Sequence, residues 1–199
     1  MGDSNEEFIS ALNETNIVAE YLRSRKTKIL HAVISYSMGG LIAQYILTFK
    51  EFSIQWLILD SVPMYERADI LYLILSHELV TLKRMTTKQN TFLIGKLANI
   101  YWIDAAVMMT DSLSKMSVRS LKNILWSCMH LNIKSIKRSN YHKIIFEFGS
   151  QDLYAKRIKK IRAMYPDVIF QIRNGYKHCN YWILENDKYQ KELLKSIEA

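Results

Sequence analysis

The stretch around Ser37 restricts the possible folds of this chain more than any other. An apolar run at residues 29–34 precedes it, and apolar residues at spacings of three and four follow it over residues 41–49. The first pattern predicts a buried strand and the second a helix. Ser37 therefore lies on a strand-to-helix turn. We expect the small residues Ser35 and Gly39 to let strand and helix approach closely there.

The same strand-then-helix pattern recurs along the chain. Residues 54–59 form a second predicted strand, and strands at 144–148 and 168–172 flank a predicted helix at about 153–164. Strands that are separated by a helix pair in parallel through a crossover connection. The sequence therefore predicts an α/β fold, a mainly parallel sheet flanked by helices, with functional residues at the carboxyl ends of its strands.

Helical patterns replace strand patterns between residues 65 and 132. This segment has no proline and a single glycine, Gly95, and Ser117 is placed to cap its last helix. The pattern predicts a helical subdomain, residues 65–132, inserted into a core that is made of residues 1–64 and 133–199.

Three polar residues follow predicted strands in the order Ser37, Asp152 and His178. A serine hydroxyl is a poor nucleophile until an imidazole removes its proton, and a carboxylate orients that imidazole. The Ser37 turn and this order resemble the α/β-hydrolase superfamily, in which such a turn is the nucleophile elbow. The family most often has glycine where this chain has Ser35, and Gly40 adds further room at the turn.

The resemblance implies a function and a set of roles. Ser37 falls on the nucleophile, Asp152 on the acid and His178 on the base of a serine hydrolase that cleaves a small carboxylic ester or thioester without a cofactor. The helical insertion falls where the family places its cap. The backbone N–H of Met38 is the expected oxyanion donor, and Asp60 is a reserve acid. The alternative is a catalytically impaired relative, or a fragment, that acts as a binding or interaction protein.

The chain departs from the family's pattern at its beginning. The family takes its second oxyanion donor from a loop after an earlier strand, and nothing before residue 29 has a strand pattern. The resemblance thus implies an N-terminally truncated core that hydrolyses weakly, or not at all, by itself. We expect the strand at 29–34 to have an unpaired edge, which a preceding segment or a second copy in a homodimer would cover.

Composition excludes several other classes of protein. The net charge is +8, but the basic clusters at 134–143 and 156–162 lack the interleaved aromatic residues of a nucleic-acid site. They predict solvated faces and no nucleic-acid partner. No apolar run is long enough for a membrane span. The two cysteines predict neither disulfides nor a metal site, so we expect a cytoplasmic protein.

Two further residues compete for a role near the elbow. His31 lies inside the first predicted strand, where we expect a buried, hydrogen-bonded histidine. Cys179 directly follows His178 but has no elbow of its own, so it is not the predicted nucleophile.

Overall fold

A computed structural model describes residues 6–65, 67–86, 91–131 and 143–198. Its four strands form one sheet in the order β1-β2-β3-β4, and each neighbouring pair is parallel. The strands are β1 (Ile29–Tyr36), β2 (Ser53–Asp60), β3 (Ile144–Gly149) and β4 (Ile169–Arg173). All residues of β3 are buried, as expected for a central strand with both faces covered. The predicted α/β class is confirmed.

Helices occupy most of the intervening chain. They are α1 (Ala11–Ser24), α2 (Gly39–Ile46), α3 (Asp69–Arg84), α4 (Thr91–Ala98), α5 (Ile103–Lys115), α6 (Val118–Met129), α7 (Ile158–Met164), α8 (Tyr181–Leu184) and α9 (Asn186–Glu198). Ser10 and Ser117 begin α1 and α6, since each hydroxyl accepts a backbone N–H of the first turn. The helix predicted at 153–164 begins instead as a 3₁₀ helix, Leu153–Arg157.

Strand β1 lies at the edge of the sheet and, among the described strands, pairs only with β2. Ile29 is 67% exposed, and His31 is exposed as well. The prediction of a buried His31 was therefore wrong, because an apolar strand pattern does not show which faces of the strand other elements cover. The expected pairing of this edge with a preceding segment or a second copy stays a prediction.

The helices α3 to α6 follow β2 and have a small apolar core of their own. Leu93, Leu97, Ala106, Leu113 and Leu121 are its buried members. A separate and larger cluster packs against the sheet and includes Leu41, Leu57 and Phe146. Helices α3 to α6 thus have an apolar cluster distinct from that of the sheet, although Cys128 of α6 belongs to the sheet cluster. The boundary expected at residue 133 lies outside the described residues.

The basic segments lie away from the core, as far as the structure describes them. Along residues 156–162, Lys156, Lys159 and Arg162 are exposed, whereas Ile161 is buried. This is the solvated basic helix face that the sequence predicts. The cluster at 134–142 lies outside the described residues. Among the helices that are described, none is long and apolar enough to cross a bilayer.

Candidate active site

Ser37 occupies the turn between β1 and α2 in a strained conformation. Its φ of 49° is in the left-handed region, which costs a residue with a side chain about 1 kcal/mol or more. Two hydrogen bonds hold the turn: the Ser37 N–H donates to Asp60 O at 2.9 Å, and the Gly40 N–H donates to Ser37 O at 3.0 Å. The strand–turn–helix context that the sequence predicts is therefore present, with the Ser37 side chain partly exposed.

The tightest packing at the start of α2 occurs one residue later than the sequence suggests, and it is against the segment after β2. A Cβ atom on Gly40 would lie 2.1 Å from Val62 Cγ2, whereas a Cβ on Gly39 would meet nothing within 4 Å. Ser35 is buried, and its hydroxyl donates to Ile58 O at 2.9 Å, so the polar group is satisfied within the sheet. The small residue that the packing requires at the start of α2 is thus Gly40 rather than Gly39.

The structure brings Ser37, His178 and Asp152 together from three strand ends. His178 Nε2 lies 3.0 Å from Ser37 Oγ. On the other side of the ring, His178 Nδ1 lies 3.2 Å from both Asp152 Oδ1 and Asp152 Oδ2. This arrangement allows the imidazole to accept the hydroxyl proton at Nε2 while it donates its own proton from Nδ1 to the carboxylate.

The environment of Asp152 favours its ionised form. Burial opposes the charge, because the Asp152 side chain has no exposed surface. The hydrogen bonds and charge of His178, together with the hydrogen bond from the Tyr154 N–H, outweigh burial and hold the pKa of Asp152 below its usual value. The Tyr154 N–H donates to Asp152 Oδ1 at 2.9 Å. A charged, oriented carboxylate therefore faces His178.

The loops that carry Asp152 and His178 are bound to each other. The N–H of Gln151 donates to Tyr176 O at 2.9 Å, and the N–H of Ser150 donates to Arg173 O at 2.8 Å. Their close approach depends on Gly149, where a Cβ atom would lie 2.2 Å from Tyr176 O. The carboxylate and the imidazole are thus positioned by one unit of two adjoining loops.

Two tyrosine rings enclose the imidazole of His178. Tyr101, between α4 and α5, has its ring centroid 5.2 Å from that of His178 at an interplanar angle of 85°. Tyr154 approaches at 5.3 Å and 67°. Sequence reasoning missed both residues. Tyr154 follows Asp152 closely and could have been considered, but nothing in the pattern around Tyr101 indicates this contact.

Asp60, the reserve acid, lies at the end of β2 and is bound to a different partner. Its Oδ1 accepts the Ser61 hydroxyl at 2.8 Å, whereas both oxygens of Asp152 face the imidazole. Asp60 is only 3% exposed. Burial, together with the charges of Glu147 and Asp152, raises its pKa to about 7 against the opposing effects of Ser61 and Arg173. Sequence reasoning did not single out Ser61.

The remaining candidates lie outside this cluster or have other partners. Cys179 adjoins the site as a free thiol, and burial raises its pKa well above the usual value, which disfavours a reactive thiolate. Met38 is the N-cap residue of α2, where backbone N–H groups have no acceptor within the helix. Within the described ranges, no group of three or more His, Cys, Asp or Glu residues is arranged to hold a metal ion.

Comparisons with known proteins bear on the fold. No protein-family model matches the chain, and no curated protein matches its sequence. An α/β hydrolase family protein from Desulfitobacterium hafniense has a TM-score of 0.67 at 14% identity, over 100% of this chain and 81% of the other. A structure from work on the carboxylesterases of Nitrososphaera gargenis has a TM-score of 0.68 at 12% identity. The match covers 97% of this chain and 73% of the other.

A bromoperoxidase from Bacillus anthracis is similar to the same degree. It has a TM-score of 0.67 at 13% identity, over 98% of this chain and 77% of the other. At such low identity, these likenesses concern the fold. The chain has the fold of the α/β hydrolases, as the resemblance of its sequence implied.

Proposed function

We propose that this protein is a serine hydrolase that cleaves a carboxylic ester or thioester. The observation that carries the proposal is the 3.0 Å contact of Ser37 Oγ with His178 Nε2, made by a serine on a strained strand-to-helix turn. The esterases and hydrolases among proteins of the same fold support hydrolytic chemistry. Fold alone does not choose a reaction, so the argument depends on the site.

The geometry supports a two-step reaction. Ser37 Oγ attacks the carbonyl carbon of the substrate while His178 Nε2 takes the hydroxyl proton, and Asp152 stabilises the resulting imidazolium. His178 then gives the proton to the departing alcohol or thiol, which leaves an acyl group on Ser37. Water, activated by the same imidazole, attacks this acyl group and releases the carboxylic acid. No cofactor takes part in these steps.

The developing oxyanion requires hydrogen-bond donors close to Ser37. The N–H of Met38 is our candidate for the first donor, since it directly follows the nucleophile at the start of α2. Loss of one such donor lowers turnover by about 10²–10³ in other hydrolases. The expectation of weak hydrolysis by this chain alone therefore depends on whether a second donor is present, and it stays a prediction.

A fluorophosphonate probe tests the proposed nucleophile. We expect the probe to add a single mass that maps to Ser37, because only this serine contacts the imidazole of His178 in the described structure. Ser37→Ala should abolish the labelling. Ser24→Ala, at an exposed position at the end of α1, is the control and should be labelled like the wild type. A folded wild-type protein that takes no label would favour the alternative, a catalytically impaired relative that binds a partner or ligand.

We also propose that the helices between β2 and β3, within residues 65–132, act as a cap over the site. Two contacts support this role. The Tyr101 ring packs edge-on against His178, and Lys177 Nζ donates to Ala98 O at the end of α4 at 2.9 Å. The turn between α4 and α5 therefore rests on the loop that carries the imidazole, where it can exclude water and limit the ring's motion.

Substitution of Tyr101 tests the cap. Tyr101→Ala should lower turnover by roughly ten- to 100-fold, because a small displacement of the imidazole is costly to catalysis. Tyr101→Phe, which keeps the ring edge against His178, should retain most of the activity. The turnover of both variants is measured on a chromogenic ester, and thermal unfolding controls for a change in their stability. Equal activity of Tyr101→Ala and wild type would contradict a catalytic contribution of this contact.

The compartment is a further proposal. Cys128 and Cys179 are free thiols, and the pKa of the Cys128 thiol is raised to about 12 by burial. Such thiols are compatible with a reducing compartment, and we propose the cytoplasm.

A further inference from the structure

Three of the non-glycine residues with left-handed backbone meet at the candidate site. They are Ser37, Ser61 and Cys179, with φ angles of 49°, 57° and 53°. Each costs about 1 kcal/mol or more and persists only where surrounding contacts hold it in place. The contacts of Ser37 are those of the elbow. Ser61 and Cys179 also contact each other, since the Cys179 N–H donates to Ser61 Oγ at 3.1 Å.

The Ser61 hydroxyl makes two hydrogen bonds, one as a donor and one as an acceptor. It donates to Asp60 Oδ1 at 2.8 Å and accepts from the Cys179 N–H. Because a hydroxyl has a single proton, the bond to Asp60 turns a lone pair toward Cys179. Ser61 is fully buried, so water does not compete for either bond. The Cys179 N–H belongs to the peptide bond that follows His178, and fixing this peptide restricts the base.

The backbone of Asp60 and Ser61 connects this contact to the nucleophile and to the sheet. The Asp60 carbonyl oxygen accepts the Ser37 N–H at 2.9 Å, and the Ser61 N–H donates to Glu147 O of β3 at 2.8 Å. The end of β2 thus binds the nucleophile on one side and the peptide after the base on the other. Both bonds extend from a sheet interior that is closely packed, so the pair has little freedom to move.

We propose that Asp60 and Ser61 are positioning residues, in which the Asp60 carboxylate orients the Ser61 hydroxyl and this hydroxyl fixes the His178–Cys179 peptide at the distance that Ser37 requires. The proposal rests on the serine-hydrolase function proposed above. It gives Asp60 a role that differs from a reserve acid, because Asp60 acts through Ser61 and the main chain.

Two substitutions at Ser61 separate the hydroxyl from the backbone strain. Ser61→Ala and Ser61→Gly both remove the hydroxyl, but glycine adopts a positive φ without the steric cost. We expect both variants to lower kcat by roughly ten- to 100-fold with little change in KM, because a displaced base affects the chemical step. Ser61→Gly should remain closer to the wild type in thermal stability than Ser61→Ala.

A measurement without substrate tests the positioning directly. The Nδ1 proton of His178, donated to Asp152, should give a downfield resonance in the proton NMR spectrum of the wild type, assigned by its absence in His178→Gln. In Ser61→Gly this resonance should shift or broaden. Asp60→Asn, whose amide oxygen can still accept the Ser61 hydroxyl, should preserve it, whereas Asp60→Ala should shift or broaden it as Ser61→Gly does.

The outcomes distinguish this proposal from the proposed function. The positioning role would be overturned if Ser61→Gly had the same kcat, the same fluorophosphonate labelling rate and the same Nδ1 resonance as the wild type. A wild type that takes no label, but whose Nδ1 resonance changes in Ser61→Gly, would keep the positioning role and overturn the hydrolase. If both Ser61 variants fail to fold, the comparison of Asp60→Ala with Asp60→Asn decides. Equal spectra and equal rates there would contradict the proposal.

Discussion

Asp152→Asn is expected to lower the turnover of an ester substrate about 10⁴-fold. His178 Nδ1 faces both carboxylate oxygens of Asp152 at 3.2 Å and therefore carries a proton, which leaves Nε2 free to accept the proton of Ser37. An asparagine NH₂ group turned toward Nδ1 favours the opposite tautomer, whose Nε2 is protonated and cannot act as the base. Steady-state kcat of Asp152→Asn and wild type on a chromogenic ester measures the effect.

Asp60→Asn is the matched control for this prediction. We expect it to lower turnover less than tenfold, because Asp60 contacts Ser61 rather than the imidazole and an amide oxygen can replace the acceptor. If Asp60→Asn instead loses more activity than Asp152→Asn, Asp60 is the acid.

The Asp60→Asn variant should also differ from the wild type in the pH dependence of its stability. The folded Asp60 has a pKa raised to about 7 from 3.8, mainly by burial, so between these pH values the native state binds the additional proton. The free energy of unfolding of the wild type then falls as pH rises from about 4 to about 7. Asparagine does not ionise, so the free energy of unfolding of Asp60→Asn should not fall over this range. At pH 8 it should exceed that of the wild type by on the order of 4 kcal/mol, with little difference near pH 4. Urea unfolding of both proteins at the two pH values measures this difference.

Gly149→Ala is expected to impair both folding and turnover. The new Cβ atom would lie 2.2 Å from Tyr176 O and 2.7 Å from Lys177 O, both main-chain atoms of the loop that leads to His178. Because backbone atoms cannot rotate away as a side chain does, this loop must move as a unit. We expect a loss of about 3 kcal/mol of unfolding free energy, the upper part of the usual range for overpacking. Turnover should fall about 100-fold.

Gly95→Ala provides the opposite expectation. Gly95 lies inside α4, and a Cβ atom there would meet nothing within 4 Å. Alanine in a helix interior should raise stability by about 0.5–1 kcal/mol. Denaturant unfolding and ester turnover of the two variants can be compared directly. If Gly149→Ala were as stable and as active as Gly95→Ala, the close approach of the two loops would have no role in the site.

The sequence by itself determined the elements that depend on neighbours along the chain. Strands appear as short apolar runs and helices as apolar spacings of three and four residues, so β1, α2 and the Ser37 turn could be predicted from one short stretch. Parallel strands have their carboxyl ends at the same edge of a sheet. This rule, together with the residue order of the family that the sequence resembles, predicted Asp152 and His178 near Ser37.

Only the tertiary structure decided which residues support this cluster. Ser61 meets the Cys179 N–H across 118 positions of the chain, and Tyr101 reaches His178 from the helical insertion. Such contacts have no period along the sequence, because they depend on how whole elements pack. The same reason explains the exposure of His31 and the close approach at Gly40 rather than Gly39. Local spacing determines which face of an element is apolar, whereas the neighbour that covers this face is determined by the packing of the entire chain.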